Sequence, residues 1–118
     1  MVRISLYRDG SNHYIGFECN GHAGFDEIGT DIVCAGISAL TQTTVIALER
    51  LVGLALYGDA DEKTGYLRCF WENRPETVEK SDLLIQTMII GLKEIQNLFP
   101  EHLSLSETEV LSNDRIQF

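Results

Sequence analysis

Two stretches near the start of the chain alternate between hydrophobic and polar residues, as strands with one covered face do. In VRISLY every second residue is aliphatic, and in YIGFECN the side chains of Ile15, Phe17 and Cys19 share a face. The polar segment RDGSNH between them is typical of a turn. The pattern therefore predicts an antiparallel hairpin at the start of the chain.

Hydrophobic residues then recur at helical spacing in two longer segments. The first runs from Asp31 to Leu56, with Thr30 or Asp31 as its N-cap, and the second from about Thr77 to Asn97, before Pro100. YLRCFWE between the helices and HLSLSETEV after them are predicted strands, and residues 55–60 are a candidate for one short extra strand. The tail LSNDRIQF has no clear period.

The predicted order is strand, strand, helix, strand, helix, strand. This order predicts an α+β fold, in which two helices pack on a mixed or antiparallel sheet of four or five strands. Residues 1–118 are expected to form a single domain, since the length suits one core and no repeat or linker interrupts the chain.

The net charge of the chain limits which classes of molecule are expected to bind it. The chain has 18 acidic and 9 basic residues and a net charge of −9. Such a chain repels phosphate backbones and anionic membrane surfaces, so we expect neither nucleic acid nor a membrane as a direct partner.

Cysteine content and apolar runs bear on the compartment. Cys19, Cys34 and Cys69 are odd in number and show no disulfide framework. No signal peptide is recognisable, and Glu49 and Arg50 split the longest apolar run, so no membrane span is expected. These features predict a soluble cytoplasmic protein with reduced thiols.

The stretch GHAGFDEIGTDIVCAGIS holds the candidate chemistry. Cys34 falls in the first turn of the first predicted helix, where free amides and the helix dipole favour a thiolate. His22 directly follows the second strand, and Gly24 and Gly29 are candidate hinges in the loop that would turn it back toward Cys34. The two side chains could then form a thiolate–imidazolium pair, with Cys34 as the nucleophile.

Neighbouring residues have candidate supporting roles. Backbone amides around Ala35 and Gly36 could hold an oxyanion or line the substrate site, and Ser38 lies one turn after Cys34 on the same helix face. Asp31 could orient the His22 ring as a third catalytic residue, or it could only cap the helix. A carboxylate cap beside Cys34 would oppose thiolate formation.

Other interpretations of these residues remain open on spacing alone. Three histidines and three cysteines make nine possible pairs, and a cysteine in an apolar helix is commonly core packing. Cys19 and His22 could also form half of a zinc site completed by Cys34 or Cys69, although residues three apart on a strand point to opposite faces. His13 and His102 lie in turn-like contexts and are expected to be solvated.

The motif resembles the ribosomal-processing cysteine proteases called Prp, which include proteins once labelled YsxB-like. The resemblance rests on its two halves, Gly21-His22-Ala23 and Asp31-Ile32-Val33-Cys34-Ala35, and extends over essentially the whole chain. It implies a cysteine endopeptidase without a cofactor or metal, with His22 as general base and Cys34 as nucleophile.

The resemblance also implies a substrate and an assembly. Members of the family remove an N-terminal extension from a bacterial large-subunit ribosomal protein by cutting after a phenylalanine, and they are homodimers with a mobile loop between the two catalytic residues. Tyr66, Phe70 and Trp71 are candidates for the phenylalanine pocket. A ribosome-associated binding or assembly factor without turnover, and a thiol redox sensor, are the alternative functions.

Overall fold

The structure is a computed structural model that describes residues 1–27 and 30–110. The expected hinge Gly29 and the tail LSNDRIQF lie outside the described residues. The elements follow in chain order: β1 (Val2–Arg8), β2 (Tyr14–Asn20), α1 (Ile32–Ala47) continued by a π-helical segment (Leu48–Val52), β3 (Tyr57–Asp61), β4 (Tyr66–Phe70), α2 (Val78–Leu98) and β5 (Leu103–Glu109).

The five strands form one mixed sheet in the order β3-β4-β2-β1-β5. β1 pairs with β5 in parallel, whereas the pairs β1–β2, β2–β4 and β3–β4 are antiparallel. The α+β prediction is thus confirmed, and the short extra strand exists as β3. In the described part of the chain β3 and β5 are the sheet edges.

Strand alternation builds the core on one face of the sheet. Ile4 pairs with Cys19, and Phe17 pairs with Cys69, so their side chains point the same way. The same face carries further buried residues of the core: Val2, Leu6 and Leu103. The helices supply the opposing apolar surface, chiefly through Val33, Ile37, Leu48, Ile85, Met88 and Leu92.

The first helix ends earlier than its period predicts. Asp31 caps its start, and the π-helical segment ends at Gly53, which adopts φ 79° and donates its amide to the Leu48 carbonyl. A left-handed residue at this position terminates a helix, so residues 53–56 connect to β3 instead of extending α1.

Ile32–Val52 is long and apolar enough, by length and composition, to cross a membrane, which the charges at Glu49 and Arg50 had led us not to expect. A helix at the core of a globular domain has the same composition. Here Val33 and Ile37 are buried in the core under the sheet.

The two helices pack closely at small residues. A Cβ built on Gly91 would lie 2.9 Å from Leu40, and one on Gly36 would lie 3.3 Å from Ile95. A larger residue at either position would require the end of the Leu40 or Ile95 side chain to shift, so the two glycines leave room for side chains of the opposite helix.

The β1–β2 turn is tied to α2 through His13. The imidazole Nδ1 lies 2.6 Å from Asp82 Oδ2, and Asp82 Oδ1 accepts a hydrogen bond from the Tyr14 amide at 2.9 Å. The His13 side chain is 39% exposed, in line with the expectation of solvation, but its ring also has a partner on α2 because the turn folds back onto that helix.

The His13–Asp82 pair should make the free energy of unfolding depend on pH. The hydrogen bond to Asp82 raises the pKa of His13, with nearby carboxylates adding to it against the opposing effect of burial. Because the pKa of His13 is higher in the folded than in the unfolded state, protonation of His13 stabilises the fold. This stabilisation is fully present below the unfolded pKa of about 6.5 and is lost as the pH rises through the folded-state pKa. Asp82→Asn should flatten this part of the profile, as followed by urea unfolding between about pH 5 and 9. An unchanged slope would contradict the assignment.

Candidate active site

A cleft of about 520 Å³ opens between α1, the end of β2 and the β3–β4 hairpin. His22 and Cys34 both line it, together with Ser38 and Tyr66. The fold thus brings the two predicted catalytic side chains to one concave surface.

Cys34 is held at the start of α1. Because Asp31 is the N-cap, the cysteine lies in the first helical turn, and its side chain is partly exposed. The Ala23 amide donates a hydrogen bond to Cys34 Sγ at 3.1 Å. The cysteine sulfur therefore has a backbone N–H donor directed at it from the loop that carries His22.

His22 lies two residues beyond the end of β2 and is half-buried. Its Nε2 is 2.9 Å from the backbone carbonyl of Lys63, in the turn between β3 and β4. Its neighbour Ala23 is the residue that contacts the cysteine sulfur, so the segment carrying the imidazole is anchored beside Cys34.

Asp31 joins the helix start to the loop. Its Oδ1 accepts from the amides of Val33 and Cys34, both at 2.9 Å, and its Oδ2 accepts from those of Phe25 and Asp26 at 2.9 and 3.1 Å. Burial alone would raise the pKa of this carboxyl, but the four amides outweigh burial, and the pKa is lower than usual. The geometry is that of a helix cap that also anchors the loop, whereas the His22 ring is bonded to Lys63.

The predicted oxyanion donors are placed differently from the expectation. The Ala35 amide donates to the Asp31 carbonyl at 3.0 Å, as the first helical hydrogen bond. Gly36 faces Ile95 of α2, and neither residue lines the cleft, whereas Ser38 does. The Ala35 amide is therefore occupied in this conformation, and the oxyanion or lining role of Ala35 and Gly36 stays a prediction.

The loop after His22 is fastened to the junction between α2 and β5. His102 Nδ1 lies 2.7 Å from the Ala23 carbonyl, and the ring of Phe25 packs edge-on against Phe99 and His102 at centroid distances of 5.1 and 5.5 Å. His102 is thus engaged, not solvated as expected. The other candidate hinge, Gly24, is exposed with φ 71°, a backbone conformation that suits glycine.

The other two cysteines belong to the core. Cys19 and Cys69 are buried, and burial raises the pKa of each thiol to about 12. Both therefore stay protonated at neutral pH. Within residues 1–27 and 30–110 no group of three histidine, cysteine or acidic side chains is placed to hold a metal, so the zinc alternative has no ligand set there.

Sequence reasoning missed two contacts in this site, the Ala23 amide on the sulfur and the Lys63 carbonyl on the imidazole. Both use backbone groups, which every residue carries, so no residue type marks them in advance. Of the aromatic candidates for a phenylalanine pocket, Tyr66 lines the cleft, while Phe70 and Trp71 are buried in the fold.

Comparison of the sequence with protein families places these features in context. The family model described as "Cysteine protease Prp" matches residues 1–104. The chain is also 32% identical over 108 residues to the ribosomal processing cysteine protease Prp of Bacillus subtilis, and the alignment covers 90% of this chain and 96% of the relative.

Solved structures show the same fold. The ribosomal processing protease Prp of Staphylococcus aureus, in complex with a covalently linked product peptide, superposes with a TM-score of 0.82 at 25% identity, covering 92% of this chain and all of that one. A protein from Streptococcus mutans superposes with a TM-score of 0.79 at 29% identity, covering 92% of this chain and 95% of that one.

Proposed function

This chain belongs to the Prp family of cysteine proteases, and from that premise we propose that it removes the N-terminal extension of a ribosomal protein during ribosome biogenesis, by cutting after a phenylalanine. The observation that carries the proposal is the shared cleft of His22 and Cys34, in which the Ala23 amide points at the sulfur. The name of the Bacillus subtilis relative supports the ribosomal substrate, and the peptide bound to the Staphylococcus aureus relative supports a peptide chain in this cleft.

The proposed reaction is acyl transfer to Cys34. His22 takes the thiol proton, the thiolate attacks the carbonyl carbon after the phenylalanine, and a tetrahedral oxyanion forms. The amine leaves with the proton that His22 held, which breaks the peptide bond and leaves a thioester on Cys34. A water that gives its proton to His22 then attacks the thioester, releasing the new carboxylate and returning the thiol.

We assign the oxyanion donor to the amide of Ala23. It is adjacent to the sulfur, and it is released from that contact when the sulfur forms its bond to carbon. The amides of Val33 and Cys34 are held by the Asp31 carboxylate, so their use would first require the carboxylate to release them.

The cleft suits an aromatic side chain next to the cut bond. Alongside the catalytic pair its walls include Val2, Ile37, Leu67 and the ring of Tyr66. Burying a phenylalanine ring against such apolar surface contributes about 2 kcal/mol, enough to favour it strongly over a polar residue.

A peptide spanning the extension and the first residues of the mature ribosomal protein tests the function. We expect mass spectrometry to detect a fragment ending in phenylalanine that is absent when the peptide is incubated with Cys34→Ala. Tight binding without a fragment would favour the assembly factor. Reversible oxidation of Cys34, again without a fragment, would favour the redox sensor.

We also propose that the enzyme is a cytoplasmic homodimer. Its three cysteines are free, which suits a reducing compartment. The outer surface of the two helices carries large apolar side chains, among them Leu83 and Ile90, which are 64% and 66% exposed and lie seven residues apart on one face of α2. A second copy would remove this surface from water.

Ile90→Glu should convert the dimer into monomers, because a charge at this position would be buried without a partner. Light scattering after size exclusion would show the change, with Ser11→Glu in the exposed β1–β2 turn as a control that adds the same charge elsewhere. A parent protein that runs as a monomer at micromolar concentration would end the dimer proposal.

A further inference from the structure

We propose that the turn between β3 and β4, residues 62–65, is the element that positions His22 for catalysis. The Lys63 backbone carbonyl acts as the orienting acceptor of a catalytic triad, and Gly65 allows the turn to come close enough. The inference rests on the proposed role of His22 as the general base, and it assigns a function to a segment far from the motif in sequence.

The first step concerns the proton on the imidazole. His22 Nε2 lies 2.9 Å from the Lys63 oxygen, and a carbonyl oxygen can only accept a hydrogen bond. Nε2 therefore carries the proton in the neutral ring, and Nδ1 is the nitrogen left to take the proton of Cys34. The turn thereby selects the tautomer that a general base at this position needs.

The second step concerns the two protonation states of the ring. When Nδ1 accepts the Cys34 proton, Nε2 keeps its own, so the bond to Lys63 persists through the proton transfer. A charge-assisted donor makes this bond stronger in the imidazolium state. The carbonyl can thus stabilise the ion pair and hold the ring in one orientation, as a third catalytic residue does in related mechanisms.

The third step concerns the closeness of the turn. Gly65 adopts φ 68°, and a Cβ built on it would lie 2.3 Å from the Gly21 carbonyl oxygen and 3.1 Å from His22 Cε1. The Lys63 amide donates to Asp61 Oδ1 at 3.0 Å, which fixes the peptide unit before the orienting carbonyl. Any side chain at position 65 would move the turn, the start of the loop and the imidazole relative to one another.

Two glycine variants separate this effect from backbone strain. Gly65→Ala should lower kcat about 100-fold with a much smaller rise in KM, because the base is misplaced while the part of the cleft on α1 is unchanged. Gly53→Ala is the matched control: its φ is 79°, but a Cβ there meets nothing within 4 Å, so kcat should stay within about twofold. A Gly65→Ala enzyme as active as Gly53→Ala would overturn the proposal.

Nitrogen-15 NMR of the His22 ring in the full-length Cys34→Ala protein tests the tautomer without any turnover. We expect the neutral ring to be protonated at Nε2, and a ring protonated at Nδ1 would refute the assignment. This measurement distinguishes two failures: a protein with the expected tautomer that cleaves no peptide contradicts the proposed function and not the positioning by the turn.

An ester in place of the peptide bond between Lys63 and Thr64 provides a second variant if Gly65→Ala does not fold. It weakens the Lys63 carbonyl as an acceptor and leaves every side chain intact, and the chain can be assembled from three segments joined at Cys34 and Cys69. We expect kcat to fall about tenfold, in line with the loss of part of one charge-assisted bond. An unchanged kcat would overturn the role of Lys63.

Discussion

Replacing Cys34 with alanine should abolish peptide cleavage and leave peptide binding intact. The helix start keeps its shape, because alanine fills the same helical position and the Asp31 cap does not depend on the sulfur, and the loop loses only the Ala23 hydrogen bond while those to Asp31 and His102 remain. Removing a nucleophile costs up to about 10⁶-fold in kcat in enzymes that use one, so the residual rate should fall below detection.

Cys69→Ala is the matched control for this prediction. It makes the same chemical change at a thiol that is 3% exposed in the core. The fold should lose about 1 kcal/mol of unfolding free energy through the small cavity, while kcat stays near that of the parent. Cleavage assays on both variants, with fluorescence anisotropy for binding, decide the matter. A Cys34→Ala protein that still cuts would remove the nucleophile assignment, and loss of cleavage in both would point to unfolding.

Asp31→Ala should destabilise the protein by about 3 kcal/mol, the second large effect we expect. One carboxylate there accepts four backbone hydrogen bonds, two from the helix start and two from the loop. Loss of an N-cap costs about 1 kcal/mol, and each further amide left without a charged acceptor adds to that. Since the loop also carries the Ala23 amide, we expect kcat/KM to fall about 100-fold.

The control for Asp31 is Asp26→Ala in the same loop. Asp26 is exposed, and among residues 1–27 and 30–110 its carboxylate accepts the adjacent Glu27 amide alone, so the change should cost less than about 0.5 kcal/mol. Urea unfolding of the two variants measures the loss of unfolding free energy in each. Equal stability of the two variants would show that the four bonds to Asp31 add little.

The same carboxylate predicts an acid dependence. The pKa of Asp31 is lowered in the folded state, so its contribution is present above the unfolded value of about 3.9 and is lost as the pH falls through the folded one. Asp31→Asn should therefore unfold with a shallower dependence on pH between about pH 2 and 5. Equal slopes of unfolding free energy against pH in the parent protein and in Asp31→Asn would contradict the lowered pKa of Asp31.

Much of the fold was available from the sequence, because the signals concerned were local and periodic. The alternation in β1 and β2 and the helical period of α2 predicted these elements to within one or two residues. The end of α1 was missed because the apolar period continues past Gly53, where the backbone turns left-handed and stops the helix. The parallel pairing of β5 with β1 joins opposite ends of the chain and has no local signal.

The candidate active site likewise has features that the local sequence indicates and features that it does not. The Asp31 cap was one of the options that the residue type favours, and the motif's resemblance to a known family drew attention to His22 and Cys34, which the structure places in one cleft. His102 contacts Ala23, from which it is separated by 79 positions in the chain. Lys63 contacts His22 across 41 positions. Tertiary packing sets such contacts, so the motif alone could not show which groups orient the imidazole or anchor the loop.

The burial of two of the three thiols has a practical consequence. Cys19 and Cys69 are 6% and 3% exposed, and burial raises the pKa of both thiols to about 12, whereas Cys34 is partly exposed in the cleft. An electrophilic probe applied to the native protein should therefore attach once per chain, and the added mass would count accessible Cys34 thiols directly. The untouched wild-type sequence can thus be titrated for competent enzyme and screened for covalent inhibitors, with no need to engineer away competing cysteines.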